Sequence, residues 1–270
     1  YQRQLAVSSS GNALGYFEGN TTSAINKLTS ANFVKKLMLN MEISRIKSYE
    51  SELSDQFDYI TYISTIDVQN FNQKYHTDKA INLTMGADVE YYSQVVEVSK
   101  HNNRSMVFVG NYMYAPNADS IRMICRDIIP KLPKDTIFYV IGKCPAELRN
   151  EIESEQVKVM GFVDDIRTVV KSADLYLSPI TYGSGIKTKK VEAMAMGMPV
   201  VTNSVGAESL AVTSGKELFI ADSVEDIIAL VNQLMSDRSL REQVGKNGQE
   251  YVKEKHAWTE IYKTFAEMGL

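Results

Sequence analysis

The densest chemistry in the chain lies between Ser178 and Val201, which reads Ser-Pro-Ile-Thr-Tyr-Gly-Ser-Gly-Ile-Lys-Thr-Lys-Lys-Val-Glu-Ala-Met-Ala-Met-Gly-Met-Pro-Val-Val. A strand ending near Pro179, a loop holding Gly183 and Gly185, and a helix opening near Ile186 aim backbone N–H groups and a helix N-terminus at one point. That arrangement suits an anion. Lys187 and Lys189 add full positive charges beside it, so a phosphate or diphosphate uses every feature present. Glu192, about two turns into the helix, could accept two hydroxyl hydrogen bonds, as from a ribose diol. The same spacing also fits a plain turn followed by a solvated lysine face, with Lys190 a bystander. Gly197, just before Pro199, reads as a helix C-cap, and Met194, Met196 and Met198 read as core packing.

Rival centres are weak. His76, His101 and His256 stand alone, and Cys125 and Cys144 have no second Cys or His at metal-ligand spacing. Both cysteines read as structurally buried, which points to a reducing cytoplasm. Asp164-Asp165 is a carboxylate pair, with Asp164 expected to cap a helix. The chain has 29 Lys plus Arg against 33 Asp plus Glu, a net charge of −4, which argues against binding nucleic acid. With 44% hydrophobic and 23% charged residues the composition is that of an ordinary globular protein. No apolar run approaches the ~18 residues of a membrane span; a peripheral membrane contact stays open. The chain opens Tyr-Gln-Arg-Gln-Leu, with neither an initiator Met nor a visible signal peptide, and reads as part of something longer.

The elements that must position these groups are legible from about residue 105. Short apolar runs at Met106–Val109, Thr136–Ile141, Val157–Met160, Leu175–Ser178, Val200–Thr202 and Leu218–Ile220 predict strands. Helices are expected at 117–131, after Pro145, from Asp164 to Ser172, and at 186–196 and 224–236. Continuous apolar strands alternating with helices predict a parallel sheet covered on both faces, a doubly wound α/β domain. Ahead of it, Leu5–Ser8, Tyr59–Ile63 and Ala80–Leu83 predict three strands, with Ser9–Asn12 as a polar loop. A helix is expected from Thr65. Residues 32–53 set Phe33, Leu37, Met41, Ile46, Tyr49 and Leu53 at helical intervals. Residues 86–104 read as a polar connection, and 237–268 as a helical tail carrying the sole Trp, Trp258.

The chain resembles a GT-B glycosyltransferase of the family 4 type (glycosyl transferases group 1), on six segments. Phe108-Val-Gly-Asn-Tyr-Met-Tyr-Ala-Pro-Asn-Ala-Asp is similar to the first strand, loop and helix of that family's C-terminal domain. Gly161-Phe-Val-Asp-Asp-Ile-Arg resembles the loop that meets the nucleotide base. Glu192-Ala-Met-Ala-Met-Gly-Met-Pro-Val-Val resembles the family's most specific segment, and Gly86-Ala-Asp-Val-Glu-Tyr-Tyr the start of the interdomain connection. Arg45-Ile-Lys-Ser-Tyr-Glu and Asp58-Tyr-Ile-Thr-Tyr-Ile-Ser resemble the end of the acceptor-binding domain.

The resemblance implies a Rossmann-like donor domain with a partial second Rossmann-like domain: 1–88 on the acceptor side, 89–104 as linker, 105–255 as donor domain, and 256–270 as a helix packing back on the N-terminal part. A complete enzyme of this type would need roughly another 100 residues ahead of Tyr1. The implied donor-binding residues are Gly110, Asn111 and Asn117 after the first strand, Val163, the loop Gly183, Ser184, Gly185, Ile186 and Lys187, and Glu192. Two departures stand out. The family's Glu–seven residues–Glu pattern has Ser184 in its first position, and Asn111 and Asn117 stand near the places where relatives carry an Arg and a Lys. Lys187 is then expected to supply the missing charge.

The function implied is retaining, metal-independent transfer of a sugar from a nucleotide-diphosphate sugar to a glycan or lipid-linked acceptor. The setting implied is surface polysaccharide assembly, in the cytoplasm or at the inner face of the membrane. No resident cofactor is expected, and no residue stands out as a catalytic base. The other readings are a non-catalytic nucleotide-sugar-binding or scaffold protein on the same fold, and a sugar-nucleotide epimerase.

Overall fold

The computed structural model describes residues 32–98, 104–182, 188–208, 210–267 and 269. Two compact units divide between Leu83 and Thr84.

The first unit contains α1 (Asn32–Gln56), β1 (Ile60–Tyr62), α2 (Thr65–Tyr75) and β2 (Ala80–Asn82). The strands pair in parallel, Ile60 opposite Ala80. Ser64 caps α2 by accepting from the Asp67 N–H, and the helix ends on His76 in the left-handed region. Asn72 then grips the next strand, donating to the Ala80 carbonyl and accepting from the Ala80 N–H. The helix expected over 32–53 is present; of its expected stripe Leu53 is half-buried, and three other members are not seated. Met41, Ile46 and Tyr49 are exposed and Ile43 is buried instead. Two three-residue strands offer little apolar face. The ties from α1 to α2 and β2 are polar: Glu50 with Lys74 and Tyr75, and Lys79 with the Ser54 carbonyl. The strand expected at Leu5–Ser8 and its loop Ser9–Asn12 lie outside the described residues.

The second unit runs α3 (Val89–Ser93), β3 (Ser105–Val109), α4 (Ala115–Met123), β4 (Ile137–Ile141), α5 (Ala146–Ile152), β5 (Val157–Gly161), α6 (Ile166–Ser172), β6 (Leu175–Leu177), α7 (Thr188–Ala195), β7 (Val200–Thr202), α8 (Ser204–Ala207), β8 (Phe219–Ile220), α9 (Val224–Ser236), α10 (Arg238–Lys255) and α11 (Trp258–Glu267). Six parallel strands lie in the order β5-β4-β3-β6-β7-β8. Every residue of β3, β6 and β7 is buried, as strands must be when both faces carry helices. All six strands expected from the apolar runs are present. The chain steps outward from β3 to β5 and then returns to the other side of β3. That reversal makes the carboxyl ends of β3 and β6 the switch point, where doubly wound sheets hold ligands.

Local chemistry moved several boundaries. The helix expected over 117–131 leaves α-geometry after Met123, passing through a π turn at Ile124–Ile128 and a 3-10 turn at Ile129–Lys131. Pro130 has no N–H to continue the α ladder. Asp165, not Asp164, caps α6: its carboxylate accepts from the Arg167 N–H at 2.9 Å, while Asp164 is exposed one residue too early. The tail is two helices broken at His256-Ala257. Gly197 ends α7 with a positive φ of 77°, and Met194, Met196 and Met198 are buried, all as expected.

The compact division at 83/84 falls ahead of the 88/89 boundary expected from the sequence. Ala87 donates to the His256 carbonyl at 2.6 Å and bridges Ala257, which binds 84–88 to the second unit. The residues expected to form a linker are likewise folded onto α6, where Arg167 bonds the Tyr91 carbonyl and Gln94. Trp258 of α11 packs against Gly86, where a Cβ would come 2.4 Å from the indole. Among the described residues no helix is long and apolar enough to cross a membrane.

Candidate functional site

Three glycines end β3, β4 and β5. Gly110 donates to the Ile141 carbonyl, and Gly142 to that of Gly161. Gly142 has φ +118°, and a Cβ there would lie 2.0 Å from the Gly110 oxygen. Only glycine allows the β3 and β4 ends to approach so closely. The Asn111 side chain accepts from the Met113 N–H, and its carbonyl accepts from Asn117 Nδ2 at 3.0 Å. The two asparagines thus build the turn into α4.

Between β3 and β6 opens a cavity of about 230 Å³ lined by Phe108, Val109, Tyr114, Asn117, Tyr176, Ser178, Ile180, Thr188, Lys189 and Lys190. Thr188 also lines a second cavity of about 230 Å³, walled by Met85–Asp88, Tyr92, Val191, Glu192 and Trp258. The start of α7 therefore borders both cavities, with Asn117 lining one and Glu192 the other. The Glu192 carboxylate is gripped by Lys189 Nζ at 2.9 and 3.1 Å. Burial, then the facing Glu192 carboxylate, pushes the Tyr92 hydroxyl above the usual phenol range. At the approach to the glycine loop, the Tyr182 hydroxyl donates to Asp119 at 2.6 Å. Burial and that bond raise its pKa as well. Tyr176 spans the sheet, accepting from the Val109 N–H and donating to the Val109 carbonyl.

Of the residues singled out from sequence, Asn117 and Glu192 line the cavities directly. Gly110 and Asn111 line neither cavity, Asn111 holding Asn117 through its backbone carbonyl, and Val163 packs against the core. Gly183, Ser184, Gly185, Ile186 and Lys187 lie outside the described residues. Lys190 overturns the expectation of a solvated bystander, being 1% exposed. Its Nζ donates to Thr202 Oγ1 at 2.6 Å and to the Gly206 carbonyl at 2.5 Å. One signal was there to be read: Lys190 shares a helix face with Ala193 and Met194, both core residues. Ser178, Thr188, Tyr92 and Tyr114 carried no such mark in the sequence. Among the described residues no three His, Cys, Asp or Glu side chains gather as metal ligands.

Residues 103–237, half of the chain, match the family model described as glycosyl transferases group 1. The chain belongs to this family. As a group 1 glycosyltransferase it is similar to a glycosyltransferase of Methanocaldococcus jannaschii, 23% identical over 78% of this chain and 58% of that one. It is also similar to the phosphatidyl-myo-inositol mannosyltransferase of Mycobacterium leprae, 26% identical over 70% and 55% respectively. The chain thus spans little more than half the length of these relatives. Among solved structures, Anabaena HepE in complex with UDP superposes with a TM-score of 0.68 at 17% identity, covering 81% of this chain and 65% of that one. The fold expected from sequence, a doubly wound parallel donor domain of GT-B type, is the fold of this group 1 glycosyltransferase.

Proposed function

We propose that this protein transfers a sugar from a nucleotide-diphosphate sugar to a glycan or lipid-linked acceptor, in the assembly of surface polysaccharide or glycolipid. The observation that carries this reading is the pair of cavities that the start of α7 borders at the switch point, with Asn117, Lys189 and Glu192 lining them. The diphosphate sits against the start of α7, and Glu192 receives the ribose hydroxyls. Catalysis is then electrostatic: fixed donors and the helix N-terminus stabilise the charge that grows on the departing diphosphate. No step needs a protein-held metal, and the transfer retains configuration at the sugar. Neighbours support the donor class, since the Anabaena structure holds UDP and the Mycobacterium leprae relative is a mannosyltransferase. The work is done in the cytoplasm or at the inner membrane face. We expect calorimetric titration to detect binding of UDP or GDP, and a panel of nucleotide sugars with the full-length protein to give sugar transfer. Hydrolysis alone, epimerisation, or nucleotide binding without any turnover would overturn this reading.

A further inference from the structure

Beneath the crevice lies a chain of buried polar groups that the nucleotide reading leaves unused. Lys190 Nζ, on α7, donates to Thr202 Oγ1 of β7 and to the Gly206 carbonyl of α8. The Thr202 hydroxyl in turn donates to the Ser178 carbonyl, just past β6, at 2.9 Å. The Ser178 N–H returns to the Val201 carbonyl, also at 2.9 Å. One lysine therefore ties a helix, a strand end and a short helix to the residue that closes β6. Space is kept for it: a Cβ on Gly206 would meet Lys190 Nζ at 2.6 Å and Thr202 Oγ1 at 2.1 Å. Ser178 is 2% exposed, lines the cavity beside Asn117 and Lys189, and its hydroxyl has no hydrogen-bond partner among the described residues. A buried hydroxyl left unmatched is costly, and a ligand oxygen in the cavity would satisfy it.

We infer that Ser178 and Lys190 form an anion-holding floor for the donor: Ser178 Oγ donates to a phosphate oxygen, and Lys190 positions Ser178 through Thr202 while adding positive charge below it. This deepens the nucleotide-diphosphate reading and rests on it. Lys190 is a positioning residue and Ser178 the group that touches the ligand.

The test compares UDP and GDP with uridine and guanosine on the wild-type protein and on Ser178→Ala and Lys190→Met. Ser178→Ala should keep the wild-type melting temperature and weaken diphosphate binding by about five- to tenfold, leaving nucleoside binding unchanged. Lys190→Met should weaken the diphosphate at least as much relative to the nucleoside. An unchanged diphosphate affinity in folded Ser178→Ala overturns the floor, as does an equal loss for nucleoside and diphosphate. Should Lys190→Met fail to fold, Ser178→Ala decides alone. Wild-type protein that binds neither diphosphate overturns the nucleotide reading, and the floor with it.

Discussion

The Glu192 carboxylate faces the Tyr92 hydroxyl in the cavity at the start of α7. Lys189 holds it from the same helix, but Lys189 is about half exposed, so the pair contributes little to stability. Lys189 meets both carboxylate oxygens, and Glu192 lines the cavity that Tyr92 and Trp258 also line. Glu192→Ala should therefore leave the fold intact and weaken nucleotide-diphosphate binding by tens-fold or more, the loss of two charge-assisted bonds of about 1.5–3 kcal/mol each. Titration calorimetry beside a thermal melt checks both halves, and unchanged affinity would return Glu192 to the role of a surface residue. Asp119 and Tyr182 form a comparable pair at the approach to the glycine loop, where a 2.6 Å bond joins α4 to the residue before Gly183.

At the scale of elements, the crevice depends on where strands stop and helices start. Gly142→Ala places a Cβ on a residue at φ +118° and drives it into the Gly110 carbonyl. Backbone strain alone should cost about 1–3 kcal/mol, read as a lower midpoint in urea unfolding, and relief would push apart the ends of β3 and β4. Helix α6 gives a gentler case. Asp165→Ala removes the carboxylate that accepts from the Arg167 N–H and pairs with the Arg167 guanidinium at 2.7 Å. Loss of the cap should cost about 1 kcal/mol, and Asp164→Ala close to nothing. A result in the reverse order would mean that the helix begins one residue earlier.

Across the whole second unit, His256 closes a long loop in sequence. Its ring nitrogen meets the Met85 carbonyl at 3.1 Å, and its own carbonyl accepts from Ala87, so the break between α10 and α11 holds the segment walling the Glu192 cavity. Burial pushes the imidazole below its ordinary value of 6.5, and the bond to Met85 only partly opposes this. The folded state thus binds fewer protons than the unfolded one just below pH 6.5, and stability falls as pH drops through that window. Melting temperatures should decline from about pH 7 to pH 5, and His256→Gln should flatten that slope relative to wild type. The carboxylates held low by partners, such as Asp165 and Asp222, lose their contribution further down the scale. A slope untouched by the substitution would assign the decline to other groups.

What the sequence determined by itself was local and periodic. Apolar runs specified six strands, three of them closed by glycine, because a buried parallel strand needs apolar side chains on both faces and glycine turns freely at its end. Glu192, picked out in the sequence downstream of Gly183 and Gly185, lines a cavity at the start of α7. Lys189 and Lys190 mark the limit of that reading, being chemically alike and adjacent in the chain. Packing of α7 against β7 and α8 sends one side chain to Glu192 at the mouth and the other into the floor. Met41, Ile46 and Tyr49 on α1 failed in the opposite sense, since helical spacing makes a face but cannot supply a surface to cover it. Tertiary structure alone decided that β6 returns beside β3, which brings Asn117 and Ser178, 61 positions apart, to one cavity. Strand order is set by contacts between segments distant in sequence, and no local period encodes it.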